Sequence, residues 1–331
     1  MKQYNVAVVG ATGLVGSTFL KVLAEENFPI ANLRLFASAK SAGKVIVYEG
    51  KEYTVEELRE GCFEGTEIAL FSAGGTISTE WAPEAAKSGA VVIDNSSAWR
   101  MNEECALIVP EINIDDFDTH NNIVANPNCS TIQSVLPLKP LQDKWGLKRV
   151  VYSTYQACSG SGMKGKADLE RTRKGEPNQF YPYNIAETCI PHIDVFLDNG
   201  YTKEEMKMVN ETRKILGLPN LPVSATCVRV PVSNGHAVAI MAELDKPFEL
   251  DDIRKALAET EGIVVLDDPQ NYIYPVSTVA NGNNLVYVGR IRRDLSCENG
   301  LLLYCVSDNI RKGAAANAVQ IALKLIKEGK I

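Results

Sequence analysis

N-V-A-V-V-G-A-T-G-L-V-G, Asn5 to Gly16, is the stretch that decides the fold of the first half of the chain. Asn5 to Val9 is a short, valine-rich apolar run, the pattern of a buried parallel strand. It passes into G-A-T-G-L-V-G (Gly10 to Gly16) and then into a helical pattern over Ser17 to Glu26. Strand, glycine turn and helix together make the phosphate-binding corner of a Rossmann unit. Small residues let the backbone approach a pyrophosphate, and the helix N-terminus stabilises its charge. The spacing is G-x-x-G-x-x-G rather than G-x-G-x-x-G, so an ordinary strand–helix turn is the competing interpretation.

The second strand, Leu33 to Phe36, bears on the choice of cofactor. An acid at its end would bind the ribose 2′-hydroxyl of NAD. Here the chain reads A-S-A-K-S-A-G-K, with Ser38, Lys40 and Ser41 and no acid. A lysine among hydroxyls suits a 2′-phosphate and predicts NADP; a solvated turn with a stray lysine is the alternative. More α/β units come next. Glu67 to Ser72 reads as a strand ending in S-A-G-G (Ser72 to Gly75), Val91 to Asp94 as a strand before N-S-S-A-W-R, and Asn122 to Ala125 as another. Strands that end in small or reactive residues fit the C-terminal edge of a doubly wound sheet.

That last strand leads into N-P-N-C-S-T-I, Asn126 to Ile132. Pro127 disfavours helix at Asn126, Asn128 can cap a helix starting at the next residue, and Ser130 to Leu136 reads as a short helix ending near Pro137. A thiol at a helix start meets the positive end of the dipole and several unpaired N–H groups, which favour thiolate and could hold an oxyanion. Cys129 is therefore a candidate nucleophile. Seven other cysteines occur, at positions 62, 105, 158, 189, 227, 297 and 305, and most such residues are small buried hydrophobes.

Beyond that helix the pattern changes. Arg149 to Thr154, Val223 to Val230, Ala237 to Leu244, Val264 to Leu266, Leu285 to Arg292 and Leu301 to Ser307 read as strands. Few helices intervene, which predicts a mixed sheet in an α+β domain. Thr202 to Leu216 reads as a helix opened by a capping box of Thr202 and Glu205. Gly313 to Lys327 is an amphipathic pattern expected to pack on the first domain. His236, seven residues after Arg229, is a natural general base beside a catalytic cysteine. Arg229 has the planar fork that clamps a carboxylate. The plain alternatives are a core histidine and an exposed arginine.

Composition sets bounds. The 331 residues are 45% hydrophobic and 23% charged, an ordinary globular balance with room for two domains. A net charge of −7 without a basic cluster argues against nucleic acid or anionic membrane as partners. No apolar run approaches a membrane span, and the first residues enter a strand without a signal sequence. Singly scattered cysteines add to an expectation of a reducing cytoplasm. The three histidines, at positions 120, 192 and 236, make no cluster with zinc-site spacing, and no metal is expected.

Taken together these residues resemble aspartate-β-semialdehyde dehydrogenases along essentially the whole chain. The marks are G-A-T-G-L-V-G, S-A-K-S-A-G-K, N-P-N-C-S-T-I, S-T-Y-Q-A-C-S-G-S-G, E-T-R-K-I-L, A-T-C-V-R-V-P-V-S-N-G-H, V-G-R-I-R-R-D and S-D-N-I-R-K-G-A-A-A-N-A-V-Q. The resemblance implies an α/β Rossmann NADP-binding domain of residues 1–128 plus 309–331. It also implies an α+β catalytic and dimerisation domain of residues 129–308. It implies NADPH-dependent reductive dephosphorylation of aspartyl phosphate to the semialdehyde, through a cysteine thioester. That reaction serves the synthesis of lysine and diaminopimelate, threonine, methionine and isoleucine. Cys129 would be the nucleophile, His236 the acid–base residue and Gln156 the group orienting substrate or thioester. Arg229 would hold the substrate carboxylate and Glu211 its amino group. Arg100 and Lys214, with Asn128 nearby, would hold phosphate. Gly10, Thr12, Gly13, Leu14, Val15, Ser38, Lys40, Ser41, Ser72, Gly74, Ser159, Gly160 and Asn317 would line the NADP site. Many relatives carry arginine where Lys40 stands. A homodimer or homotetramer is implied. The rivals are N-acetyl-γ-glutamyl-phosphate reductase, whose cysteine motif P-G-C-Y-P-T is not matched, glyceraldehyde-3-phosphate dehydrogenase, and a non-catalytic relative of the same fold.

Overall fold

The computed structural model describes residues 2–119 and 121–331, and only the backbone of 118 and 119; His120 lies outside the described residues. The chain divides into two compact units, Met1–Pro127 with Ala314–Ile331, and Asn128–Gly313.

The first unit opens with β1 (Tyr4–Val9), α1 (Leu14–Glu25) and β2 (Ile30–Ala37). Next is a hairpin absent from the sequence-based expectation, β3 (Val45–Tyr48) and β4 (Lys51–Glu57). Then come β5 (Ile68–Phe71), α2 (Gly75–Lys87), β6 (Val91–Asp94), β7 (Ala106–Leu107), α3 (Pro110–Asn113) and β8 (Ile123–Ala125). The sheet order is β3-β4-β2-β1-β5-β6-β8-β7, parallel except for the β3–β4 hairpin. Successive residues of β1 enter opposite cores. Val6 and Val8 join Phe19, Leu23 and Leu35 on one face, while Ala7 and Val9 join Phe36, Phe63 and Phe71 on the other. Burial on both faces is why β1 reads as an unbroken apolar run. The strand order reverses direction between β1 and its neighbours β2 and β5, so a crevice opens at the carboxyl ends of these three strands.

The second unit begins with α4 (Cys129–Trp145), β9 (Leu147–Gln156), α5 (Gly162–Arg173) and α6 (Lys203–Leu216). β10 (Val223–Arg229), β11 (His236–Leu244), α7 (Leu250–Ala258), β12 (Ile263–Val265), α8 (Ser277–Ala280), β13 (Val286–Arg293) and β14 (Gly300–Ser307) complete it. Its sheet runs β10-β9-β11-β14-β13-β12 and is mixed, with parallel pairs at both edges and antiparallel pairs between. In β9, Tyr152, Thr154 and Gln156 are buried while Ser153 and Tyr155 are exposed, the two-residue alternation of a sheet with one covered face. The helix expected to stop near Pro137 continues to Trp145 through Pro137 and Pro140. Every residue from Ser130 to Leu138 is buried, and that packing outweighs the ~3 kcal/mol an interior proline costs. The chain then winds through a π-turn, Arg311–Ala315, into α9 (Ala316–Lys327), which belongs to the first unit. There its alanines and Val319, Ile321 and Leu325 join the core shared by Phe19 and Leu23.

Candidate active site

In the first unit the glycine turn is built by crowding. Gly10 and Ala11 both donate N–H groups to the Phe36 carbonyl, at 2.8 and 3.0 Å. Gly10 has φ +87°, and a Cβ there would run into the Ser72 carbonyl; one on Gly16 would run into the Gly10 carbonyl. Both positions therefore exclude a side chain. Gly13 caps α1 through its backbone alone, with no side-chain hydrogen bond, so the first N–H groups of the helix face outward. A pocket of about 520 Å³ lies at the ends of β1, β2 and β5. Gly10, Thr12, Gly13, Ser38 and Ser72 line it with Leu58, Ile77, Trp81, Glu57 and Glu80. Unpaired N–H groups at one end and an aromatic and aliphatic wall at the other fit the phosphate and base of a dinucleotide.

In the second unit three strand ends meet at one edge of the sheet. Arg229, last in β10, sits in register with Gln156, last in β9, and His236, first in β11, pairs with Ser307 of β14. The backbone of Ala157 ties two of them together. Its N–H donates to His236 Nδ1 at 2.9 Å and its carbonyl accepts from Arg229 Nη1 at 2.6 Å. Gln156 Oε1 accepts from Thr154 Oγ1 at 2.9 Å, and its Nε2 donates to Glu204 Oε1 at 3.0 Å. The same Glu204 oxygen accepts from Asn128 Nδ2 at 2.9 Å. Asn128 Oδ1 accepts from the N–H groups of Ser130 and Thr131, at 2.9 and 3.3 Å, and caps the helix that starts at Cys129. The Asn128 N–H donates to Glu211 Oε2 at 2.6 Å. One hydrogen-bonded chain thus runs from His236 and Arg229 through Ala157, Gln156, Glu204 and Asn128 to the residue before the thiol.

Electrostatics sort the groups. Cys129 is partly exposed, whereas burial pushes the thiols of Cys62, Cys158 and Cys227 up and that of Cys305 to about 12. Those four are held as thiols. Burial first, and the Arg229 guanidinium second, bring His236 down to about 3, so its ring is neutral. The Ala157 N–H facing Nδ1 places the ring's one proton on Nε2, a buried atom without a protein partner. The sequence predicts a base at this position. With this tautomer, Nε2 offers a hydrogen bond rather than a lone pair. Burial would raise Glu204, but Lys207 and the donors Gln156 and Asn128 outweigh it and hold the carboxyl down to about 2.

Comparison with known proteins settles the family. A model described as semialdehyde dehydrogenase, NAD binding domain, matches residues 5–120, and one described as semialdehyde dehydrogenase, dimerisation domain, matches residues 138–312. The aspartate-semialdehyde dehydrogenase of Aquifex aeolicus is 54% identical over 99% of both chains. The chain belongs to the aspartate-semialdehyde dehydrogenase family. Among solved structures, the Vibrio cholerae aspartate semialdehyde dehydrogenase II complexed with ASA matches with a TM-score of 0.94. It is 45% identical, over 99% of each chain. The Candida albicans enzyme with NADP matches at 25% identity and a TM-score of 0.80 over 100% of each chain. These relatives favour aspartate-semialdehyde dehydrogenase over N-acetyl-γ-glutamyl-phosphate reductase.

Against the roles implied for an aspartate-semialdehyde dehydrogenase, Cys129, Asn128, Gln156, Arg229, His236 and Glu211 are brought together in the second unit. Lys214, half-buried, lies one helical turn beyond Glu211 on α6. Arg100 lies in the first unit, where its Nε and Nη2 donate to the carbonyls of Asn126 and Asn95 at 2.9 and 3.0 Å. Leu14 and Val15 open α1, Gly74 caps α2, and Lys40 and Ser41 lie just past β2, with Lys40 exposed. Asn317 is buried in the first unit and its Nδ2 donates to Asn126 Oδ1 and the Ile108 carbonyl. Ser159 is buried in the second unit between Asn234 and Asn309, and Gly160 lies against Arg229 and His236. Glu204, Thr154 and Lys207 were not foreseen from sequence. The available signal was an acid seven residues before Glu211, two turns earlier on the same helix face.

Proposed function

We propose that this chain reduces L-aspartyl-4-phosphate to L-aspartate-4-semialdehyde with NADPH, reversibly, through a thioester on Cys129. The observation that carries this reading is the hydrogen-bonded chain joining Arg229, His236 and Gln156 to the capped start of the Cys129 helix. The Cys129 thiolate attacks the acyl phosphate carbonyl; a C–S bond forms, the C–O bond breaks, and phosphate leaves with that electron pair. Arg100 and Lys214 are the cations proposed to receive it. Arg229 holds the substrate carboxylate with its planar fork and Glu211 the ammonium group. The nicotinamide, when bound, supplies the hydride that reduces the thioester carbon.

His236 Nε2–H is a donor for the oxygen on that carbon, and it stabilises the oxyanion as charge develops. Collapse of the oxyanion returns the C–S electrons to sulfur and releases the aldehyde without any proton transfer to the ring. In the opposite direction, accepting the hydroxyl proton at Nε2 requires the ring to surrender its contact with the Ala157 N–H. For the cofactor, Ser38 and Lys40 support a 2′-phosphate and hence NADP. The turn from Gly10 to Val15, with Ser41, Ser72, Gly74, Ser159, Gly160 and Asn317, supplies the remaining proposed contacts. Residues 1–128 with 309–331 are the proposed dinucleotide-binding domain and 129–308 the catalytic and dimerisation domain. The uncovered face of the second sheet, where Tyr155 is 41% exposed, is the proposed contact between two copies. The proposed setting is the cytoplasm, in the synthesis of lysine and diaminopimelate, threonine, methionine and isoleucine. Aspartate semialdehyde, inorganic phosphate and NADP are the test. Reduction of NADP that depends on phosphate is expected; no turnover, or turnover indifferent to phosphate, refutes the reading.

A further inference from the structure

Glu204 stands outside every role assigned so far, yet its carboxylate is the point where the site's two amide side chains meet. Its Oε1 accepts from both Asn128 Nδ2 and Gln156 Nε2, at 2.9 and 3.0 Å. Its Oε2 accepts from Lys207 Nζ at 3.0 Å, and Lys207 is anchored again on Asp194 Oδ2 at 2.8 Å. The group is 6% exposed. An amide side chain has nearly the same shape either way round, so its partners decide which end points where. A carboxylate only accepts. Both amides must therefore turn their NH2 groups to Glu204. For Asn128 this leaves the oxygen facing the Ser130 and Thr131 N–H groups, where it caps the nucleophile's helix. For Gln156 it leaves the oxygen on the Thr154 hydroxyl and one amide hydrogen without a protein partner.

We propose that Glu204 is a positioning residue for this reaction: it sets the orientation of Asn128 and Gln156 together, and Lys207 keeps it in its accepting form. This rests on the functional reading above. The charge is needed because a glutamine in its place would turn an NH2 group either at the Lys207 ammonium or at the two amide donors. In both cases donor meets donor, and one or both site amides rotate. Replacing Lys207 as well removes that conflict. The glutamine oxygen can then accept from Asn128 and Gln156 while its NH2 group turns toward the apolar side chain.

The test compares wild type, Lys207→Met, Glu204→Gln and the double variant. Glu204→Gln is expected to lower kcat about 10–100-fold, the scale of a sub-ångström to 1 Å misplacement, with KM for the semialdehyde changed less than about threefold. The double variant is expected to recover most of that loss. A simple structural role predicts instead that kcat falls with thermal stability and that the second substitution rescues nothing. Hydrogen exchange at the Ser130 and Thr131 amides gives a readout independent of turnover: faster in Glu204→Gln, restored in the double variant. Glu204→Gln with kcat within about twofold of wild type overturns the proposal, as does unchanged exchange. If Glu204→Gln does not fold, the double variant measured against Lys207→Met decides, and a further loss above about tenfold with native stability overturns it. Wild type that turns over none of these substrates, with exchange behaving as expected, refutes the functional reading and leaves this one standing.

Discussion

Gly160→Ala is the sharpest probe of the site. A Cβ at this position would lie 2.9 Å from Arg229 Nη1 and 3.0 Å from His236 Cε1 and Nε2. Ordinary contacts between such atoms are about 3.5 Å or more, so each group must retreat by about half an ångström. Neither can do so cheaply. Arg229 Nη1 is bonded to the Ala157 carbonyl at 2.6 Å and His236 Nδ1 to the Ala157 N–H at 2.9 Å. Gly160 is not among the glycines with positive φ, so alanine meets no backbone penalty and the whole effect comes from this contact. Overpacking of this size costs about 1–3 kcal/mol of stability, and a displacement approaching 1 Å costs up to about 100-fold in rate. We expect kcat/KM for aspartate semialdehyde to fall about 10–100-fold, through a higher KM where Arg229 moves and a lower kcat where His236 moves. Melting should remain a single cooperative step. Steady-state kinetics with NADP and phosphate, beside a thermal scan, give both numbers. Wild-type kcat/KM in the alanine variant would mean that neither Arg229 nor His236 stands at the reacting atoms.

The same geometry predicts other outcomes. Cys129→Ser should lose about 1,000-fold or more in kcat, since a serine hydroxyl is far less ionised near pH 7; near-normal turnover refutes the thioester route. His236 holds its proton-free state from its ordinary 6.5 down to about 3. In that window the unfolded chain binds a proton that the folded chain does not, so stability rises with pH. Going from pH 7 to 5 should cost about 2 kcal/mol in urea unfolding, and His236→Asn should lack that part of the slope. Lys40→Ala should reduce the preference for NADPH over NADH about fivefold, as expected of one exposed charge, and Glu57→Gln in the same pocket should shift it the other way. Equal ratios in all three proteins would remove both residues from cofactor choice. Asn128→Ala should cost about 1 kcal/mol for the lost cap in addition to activity; unchanged urea midpoints count against its capping role.

The identities at the site were legible in the sequence because local chemistry advertises them. A glycine-spaced turn after a valine run, a cysteine after N-P-N, and a histidine and arginine seven residues apart each carry their meaning within a short window. The α6 capping box of Thr202 and Glu205 was equally local, and both of its bonds form. The β3–β4 hairpin escaped because its residues alternate weakly and are largely exposed. The end of α4 was misplaced because Pro137 was weighed by its intrinsic cost, while the buried surface around it exists only in the folded unit.

By itself, the sequence determined which groups this protein brings to its chemistry: a thiol, an imidazole, a guanidinium, two site amides and a glycine corner for phosphates. Tertiary structure alone decided how they are presented. It placed a single amide hydrogen on His236 Nδ1, which turns an expected base into a donor, and it joined Asn128 to Gln156 through a glutamate that no motif marked. The physical reason is that tautomers, amide orientations and the charge of a buried acid depend on partners distant in sequence.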